Sequence, residues 1–592
     1  APCVEACPIS QDIPAYIRLV GEGKYGEALK LIYDKNPLPS ITGTICDHQC
    51  MYRCTRLDYE GAVRIREMKR QAALKGYAEF SRNVAAGDAA PGGGKAAAEA
   101  AAGKAAVIGA GPAGLAAAFF LARSGFSVTV MDKEENAGGV VSNILPKFRL
   151  PEEAVRQDLE FIRSRGVQFE FGIDPGISSE DLAERGFTTI VLAVGAEKSN
   201  VFKLPGGGRI IDSLDFLRAV HHGSAEDAGR QDITAGKRLV VVGGGNTAMD
   251  SARAAVRQPG VKEVRVCYRR SEAEMPADRE EYENAQEDGV VFEFLLQPES
   301  FSPDGEMLCR VMELGEADAS GRRRPVPTEE VRKLQADTVI SAVGEHVDTD
   351  ILARFGVTLD GHGRPVLNGD TLEVPDSGVY VIGDARTGPS TVVECIAEGR
   401  KAADAAAAAQ TAPAKTAAAG SAADEAPGDS RLGERASGSA REIRDRLAAR
   451  KMLVPDPLTE NGGAGARQLE QQEQQRCLEC DLVCNKCVEV CPNRANIAVE
   501  TPDGAGLANL FQIVHLDAYC NECGNCETFC PYEGKPYKDK LTVFSLLEDF
   551  ENSENPGFFL SNGSGVFRFL EMKGVLETGI EGQIHIKKEP GA

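Results

Sequence analysis

Tryptophan is absent from the 592 residues, and by itself that decides little. Positive charge is the more telling shortage. Lys and Arg total 66 against 89 Asp and Glu, leaving a formal charge of -23. Such a charge argues against nucleic acid or an anionic membrane surface as partner, since both are themselves negative. No apolar run reaches the roughly 18 residues of a membrane-spanning helix, and no signal peptide opens the chain. Histidine is scarce at seven residues, and none stands near the isolated Cys267, Cys309 or Cys395, which argues against a Cys–His nucleophile. Those three thiols read as buried and inert.

Cysteine is abundant. Of 17, fourteen fall in tight groups. A disulfide framework suits a small secreted domain, whereas grouped Cys with Cys-Pro endings suit metal. Thiolate clusters need a reducing compartment, which predicts a cytoplasmic protein. The runs CLECDLVCNKCVEVCP and CNECGNCETFCP end the chain's cysteine list. The second run matches a two-cluster ferredoxin motif, in which three close thiolates wrap one [4Fe-4S] cubane and the fourth serves the other. This predicts one set of Cys520, Cys523, Cys526 and Cys491. The other set is expected to be Cys480, Cys484, Cys487 and Cys530, with Cys477 spare. A structural zinc site is the competing reading, because Cys-x2-Cys pairs also bind zinc.

The length suggests three or four domains. Residues 1–83 have helical spacing, and 84–104 read as a linker. From 105 to 402 strands, glycine turns and helices alternate, the pattern of an α/β fold. Residues 105–200 and 330–402 are expected to form one dinucleotide-binding domain and 201–329 a second. Residues 403–470, Ala-rich without a periodic apolar face, read as a linker. Residues 471–545 carry the C-terminal cysteines, and 546–592 look like a small β tail.

KAAVIGAGPAGLAAAFFLARSGFSVTVMDKE is a strand, a glycine turn, a helix and a second strand ending in an acid. Gly109 permits the tight turn, Gly111 lets backbone approach a pyrophosphate, and Gly114 lets helix and strand pack closely. Asp132, 23 residues past Gly109, is placed to accept hydrogen bonds from a ribose. KRLVVVGGGNTAMDSARAAVR repeats the logic with Gly243, Gly245, Asn246 and Ala248. Its second strand ends in Arg269 and Arg270, where an acid would otherwise read a 2′-hydroxyl. Paired guanidiniums suit a 2′-phosphate, so NADPH is expected rather than NADH, although two Arg can also simply solvate a strand end.

AGGVV, with Gly138 and Gly139, and GVYVIGDARTGPSTVVECIAEGRKAA, with Gly383 and Asp384, resemble flavoproteins that have two dinucleotide domains. TTIVLAVGA and ADTVISAVGE resemble their crossover strands. GGGNTAMDSAR and YRRSEAEMPA are similar to the small subunit of glutamate synthase and its relatives, over residues 1 to about 405. The resemblance implies FAD at the first site, with Asp384 near its ribityl–phosphate region.

It also implies an N-terminal helical domain with up to two [4Fe-4S] clusters, whose pattern is Cys-x2-Cys-x4-Cys-x3-Cys-Pro followed by three distal Cys. Cys3 and Cys7-Pro8 match the end of that pattern. Cys46, Cys50 and Cys54 match the distal group, with shorter spacing between Cys46 and Cys50. The first two cysteines are expected upstream of Ala1. The family assignment gives one cluster Cys3, Cys54 and those two, and a second cluster Cys7, Cys46, Cys50 and a non-Cys ligand. Glu67 is the only fitting acid for that last place, with Lys69 the alternative. The C-terminal cysteine runs resemble the subunit group named for selenate reductase, whose members are longer. Residues 1–592 are thus expected to be the C-terminal portion of a larger protein.

Together these readings imply an oxidoreductase passing electrons from NADPH through FAD to iron–sulfur clusters. Two clusters are expected in the C-terminal part. The acceptor is expected to be a missing N-terminal region, a molybdoenzyme or a ferredoxin, within a multi-subunit complex. A relay subunit without turnover of its own, or a glutamate-synthase-type role, are the alternatives.

Overall fold

A computed structural model describes residues 1–57, 61–85, 103–200, 202–223, 236–317, 323–375, 377–411, 464–477, 480, 486–500, 511–530, 534–569, 572–578 and 584–588. They fall into two compact units. One comprises Ala1–Glu22, His48–Ile65 and Gly462–Ala592, and the other Gly23–Asp47 and Arg66–Asn461. The helical N-terminal stretch is therefore divided between the units.

The larger unit carries two parallel five-stranded sheets. The first has the order Val379–Val381, Thr189–Leu192, Lys104–Ile108, Ser127–Asp132 and Gln168–Phe171. Its central strands read as unbroken apolar runs because helices cover both faces. On one face the helix Pro112–Arg123 packs against Val392–Thr411. Gly399 makes this possible: a Cβ there would come within 2.8 Å of the backbone at Ala113 and Ala117. Ala402, Ala403 and Ala406 are buried on the same helix. The start of the Ala-rich stretch, expected to be linker, is thus helix with a small-residue packing face. The rest of the expected linker up to Gly463 lies outside the described residues.

The second parallel sheet has the order Ile210–Asp212, Thr338–Ser341, Arg238–Val242, Glu263–Tyr268 and Val291–Phe294. Thr338–Ser341 was expected in the first sheet. It pairs instead with Arg238–Val242, from Thr338 opposite Leu239 to Ser341 opposite Val242. Four buried residues in a row let it fill a central position in either sheet, so the local text does not decide. An antiparallel meander, Leu296–Phe301, Glu306–Ala317 and Arg323–Gln335, follows the last strand.

In the smaller unit the strands Asn496–Glu500 and Phe511–Leu516 begin a seven-stranded sheet that runs through to Ile584–Lys588. The C-terminal segment is not a separate tail. Gly557–Ser561 pairs in parallel with Leu541–Phe544, which joins it to the ferredoxin-like part. Among the described residues no helix is long and apolar enough to cross a membrane.

Candidate functional site: two cavities at glycine turns and the grouped thiols

The first glycine turn is shaped by close approaches. Gly109 has φ +105°, and a Cβ on it would lie 2.2 Å from the Ala193 carbonyl oxygen. A Cβ on Gly114 would lie 2.0 Å from the Gly109 oxygen. Around Gly111 there is nothing within 4 Å, so that position is open to the cavity it lines. The Ala110 N–H donates to Asp132 Oδ2 at 2.6 Å, and the Glu134 N–H to Oδ1 at 2.9 Å. Burial nonetheless pushes the Asp132 carboxyl up. Gly139 sits over Gly111, with a Cβ position 3.0 Å from its Cα, and the Gly138 N–H donates to the Ala110 carbonyl.

This cavity, about 540 Å³, is lined by Gly109, Gly111, Asp132, Gly139 and Asp384 together. Its size falls in the range of small-molecule and cofactor sites. Gly383 adopts φ +63° and donates its N–H to Glu398 Oε2 at 2.7 Å, a partner that sequence reasoning missed. Asp384 Oδ1 accepts from the Ser390 N–H at 2.9 Å and its hydroxyl at 2.7 Å, while burial raises the carboxyl. Arg149, also missed, lines the cavity and is clamped between Asp250 at 2.7 Å and Glu281 at 2.8 Å. No sequence motif marks it, because its partners lie more than 100 residues away.

The second cavity, about 550 Å³, is lined by Gly243, Gly244, Gly245, Tyr268, Arg269 and Arg270. A Cβ on Gly243 would lie 2.1 Å from the Ala342 oxygen. Ala248 is buried in the helix Asn246–Val256, where it packs the turn. The two arginines differ: Arg269 is exposed, whereas Arg270 is buried and donates from Nε to the Arg323 carbonyl at 2.9 Å. Asn246 does not line this cavity. It lines the first one and exchanges hydrogen bonds with Asp278. Thr247 lines both cavities. Glu345 lines the second, with its carboxyl raised by burial and moderated by a hydrogen bond from Thr247. Neither residue was singled out from the sequence.

Among the described residues no cysteine is held in a disulfide. Cys491, Cys520, Cys523 and Cys526 line one small cavity. Cys491 accepts the Ala495 N–H at 3.2 Å and Cys520 the Glu522 N–H at 3.3 Å. Cys487 packs with Cys526, and burial together with the nearby Cys530 and Cys526 pushes the Cys487 thiol up. Cys484 lies outside the described residues. Cys480, expected beside Cys487, is found elsewhere: with Cys477, Cys3 and Cys54 around another small cavity. No described group of three His, Cys, Asp or Glu is drawn together as for a single ion.

The expected set of Cys7, Cys46, Cys50 and Glu67 is drawn from both units: Cys7 and Cys50 from the smaller, Cys46 and Glu67 from the larger. The Glu67 carboxylate accepts from Arg70 at 2.8 and 2.9 Å and from Gln71 at 2.6 Å, on its own helix. His48, between Cys46 and Cys50, is buried with φ +44° and stacks on Tyr52.

A family model for pyridine nucleotide-disulphide oxidoreductases matches residues 103–399. The chain belongs to that family. A second model, dihydropyrimidine dehydrogenase domain II with its 4Fe-4S cluster, matches residues 1–79. Residues 1–592 are 46% identical to YgfK of Escherichia coli K12, a proposed oxidoreductase, over 99% of this chain and 53% of that protein. They are 36% identical to the NADPH-Fe(3+) oxidoreductase subunit beta of Geobacter sulfurreducens, over 68% of this chain and 62% of that one. The glutamate synthase [NADPH] small chain of E. coli K12 is 34% identical over 68% of this chain and 87% of its own length. The chain thus spans about half the length of YgfK. Family membership makes residues 103–399 a pyridine nucleotide oxidoreductase module, preceded by a 4Fe-4S-type domain over residues 1–79.

Proposed function

We propose that the chain takes electrons from NADPH, passes them through FAD to [4Fe-4S] clusters, and delivers them to a partner domain or subunit. When bound, these groups supply hydride transfer, the split of an electron pair into single electrons, and their conduction. The protein's part is placement. Gly109, Gly111 and Asp132 would hold the flavin nucleotide, with Gly138, Gly139, Gly383 and Asp384 beside it. Gly243 and Gly245 would admit the second pyrophosphate, with exposed Arg269 reading a 2′-phosphate and Arg270 fixed beside it.

The observation that carries this reading is Thr247, which lines both nucleotide cavities at the start of one helix. Two dinucleotides bound in these cavities would meet there. Cys520, Cys523, Cys526 and Cys491 are proposed as one cluster's ligands, because they surround one cavity and the sulfurs of Cys491 and Cys520 accept backbone N–H bonds. That neighbourhood suits thiolate ligands.

A multi-subunit setting is supported by relatives named as subunits of an Fe(3+) oxidoreductase and a glutamate synthase. The acceptor is proposed by class, a one-electron acceptor in a partner, with selenate the substrate that the sequence resemblance names. A reducing, cytoplasmic setting goes with this reading. The test is anaerobic titration of the reconstituted chain with NADPH and, separately, NADH, following the flavin band. Bleaching by NADPH far faster than by NADH supports the assignment, and bleaching by neither would leave a relay subunit as the better account.

A further inference from the structure

Four thiols from three stretches of chain share a cavity in the smaller unit. Cys3 lies on the short helix Pro2–Glu5, Cys54 follows the helix Gln49–Tyr52, and Cys477 and Cys480 follow the helix Ala464–Arg476. Sequence spacing left Cys477 without a role and sent Cys480 to the C-terminal pair of clusters.

The arrangement is held by specific bonds. Arg467 Nη1 and Nη2 donate to the Val20 and Gly21 carbonyls at 2.8 and 2.7 Å, docking the helix Ala464–Arg476 on the end of Ile13–Glu22. Gly21 leaves room for the Gln474 side chain, which would lie 2.2 Å from a Cβ there. Buried Glu473 accepts the Arg64 N–H at 2.9 Å and both pairs with and orients Arg476. Arg56 Nε donates to the Arg476 carbonyl at 2.9 Å, one residue before Cys477. Each bond fixes where the Cys477-x2-Cys480 pair falls.

The surroundings suit thiolates. Cys54 accepts backbone N–H bonds from Val63 and Arg56. Thr55 Oγ1 is 3.3 Å from Cys480 Sγ. Arg53 and Arg56 line the same cavity, opposite the apolar Ile13 and Ile17. Amide bonds to sulfur, nearby guanidinium and an apolar wall are the means by which a protein holds and tunes an iron–sulfur cluster.

We propose that Cys3, Cys54, Cys477 and Cys480 ligate a single [4Fe-4S] cluster. The identity of the metal rests on the oxidoreductase reading above; the grouping of the four residues does not. The resemblance gives Cys3 and Cys54 two partners from outside this sequence, whereas here two partners come from within it.

The test is the iron content and reduced-state EPR of the full 592-residue chain, anaerobically reconstituted, in C3A/C54A, C477A/C480A and the fourfold variant. Flavin content serves as the control for folding. Each pair should remove the same cluster, about four iron atoms per chain, and the fourfold variant should lose no more than either pair. Additive losses, in which C477A/C480A removes a different cluster, overturn the assignment, as does C477A/C480A with unchanged iron or zinc bound at wild-type stoichiometry. Should a variant fail to retain flavin, alkylation mapped by mass spectrometry on the unmutated protein replaces it. All four residues should be protected together and become reactive together when chelator removes the cluster; Cys477 and Cys480 reactive in the holoprotein would refute the proposal. Wild type without any iron would sink the proposed function itself, whereas iron present but insensitive to Cys477 and Cys480 sinks only this assignment.

Discussion

The hydroxyl of Thr55 lies 3.3 Å from the sulfur of Cys480, across 425 residues of sequence. The contact ties the N-terminal helical stretch to the segment leading into the C-terminal cysteines. It makes the smaller unit one body assembled from both ends of the chain.

The glycines of the first turn separate fold from binding. Gly111→Ala adds a Cβ that meets nothing within 4 Å, so the protein should fold, but the new methyl points to where a pyrophosphate would approach. Purified G111A should carry much less flavin than wild type at nearly unchanged melting temperature. Gly114→Ala, with its Cβ 2.0 Å from the Gly109 oxygen, should instead lower stability as well as flavin content. Equal flavin in G111A and wild type would count against the first site.

Arg269 and Arg270 should not behave alike. Arg269→Ala removes an exposed guanidinium, and losing a charge-assisted contact to a 2′-phosphate should raise the KM for NADPH about 10- to 100-fold while leaving NADH unaffected. Arg270→Ala also strips the Arg323 carbonyl of a donor in a buried place, so it should cost stability as well. Steady-state kinetics with both nucleotides, alongside thermal melts, tells these apart.

Arg149 holds Asp250 and Glu281 in a setting where all three side chains are nearly buried. Arg149→Ala removes the cation that Asp250 and Glu281 share, leaving Glu281 with Arg253 at 3.0 Å and the Asp250 carboxylate without its ion pair to Arg149. Denaturant unfolding of the larger unit should show a loss of about 3–5 kcal/mol, the usual cost of breaking a buried pair from one side. A loss below about 1 kcal/mol would mean the carboxylates find other partners or take up protons.

Asp158 sets a pH dependence. Burial raises its carboxyl to about 7, despite the Ser40 and Ile41 N–H groups it accepts at 3.1 and 2.9 Å. A folded-state value above the unfolded one means the native protein binds more protons between about pH 4 and 7. The stability linked to this group is therefore full below about pH 4 and is lost as pH rises through 7. Asp158→Asn should flatten that part of the profile, so the melting-temperature difference between D158N and wild type should shift in favour of D158N from pH 4.5 to 7.5. A constant difference would contradict the shift.

Local features were legible in the sequence and distant pairings were not. The turns at Gly109 and Gly243 could be read because their strand, glycines and helix are contiguous, even though the oxygens a Cβ there would meet, of Ala193 and Ala342, come from distant parts of the chain. Thr338–Ser341 could not be placed, since four buried residues carry no mark of which sheet they enter. The buried face of Ala402, Ala403 and Ala406 escaped notice because periodicity is sought in large apolar residues, while a close helix pair needs small ones. Thr247 and Glu345 belong to no fingerprint; they matter by their position at the cavities. Cys477 was left over because ligand spacing was sought within one run, and its neighbours Cys3 and Cys54 lie more than 400 residues away.

The central claim is a sequence of events within one chain: nicotinamide, flavin, cluster. Rapid mixing of the anaerobic, reconstituted protein with NADPH, with flavin absorbance followed by stopped flow and clusters by freeze-quench EPR, tests it most directly. The account predicts that the flavin bleaches first and cluster signals rise afterwards, with both events slowed together in R269A. Cluster signals that appear with the flavin absent, or a flavin that bleaches while every cluster stays oxidised, would contradict it.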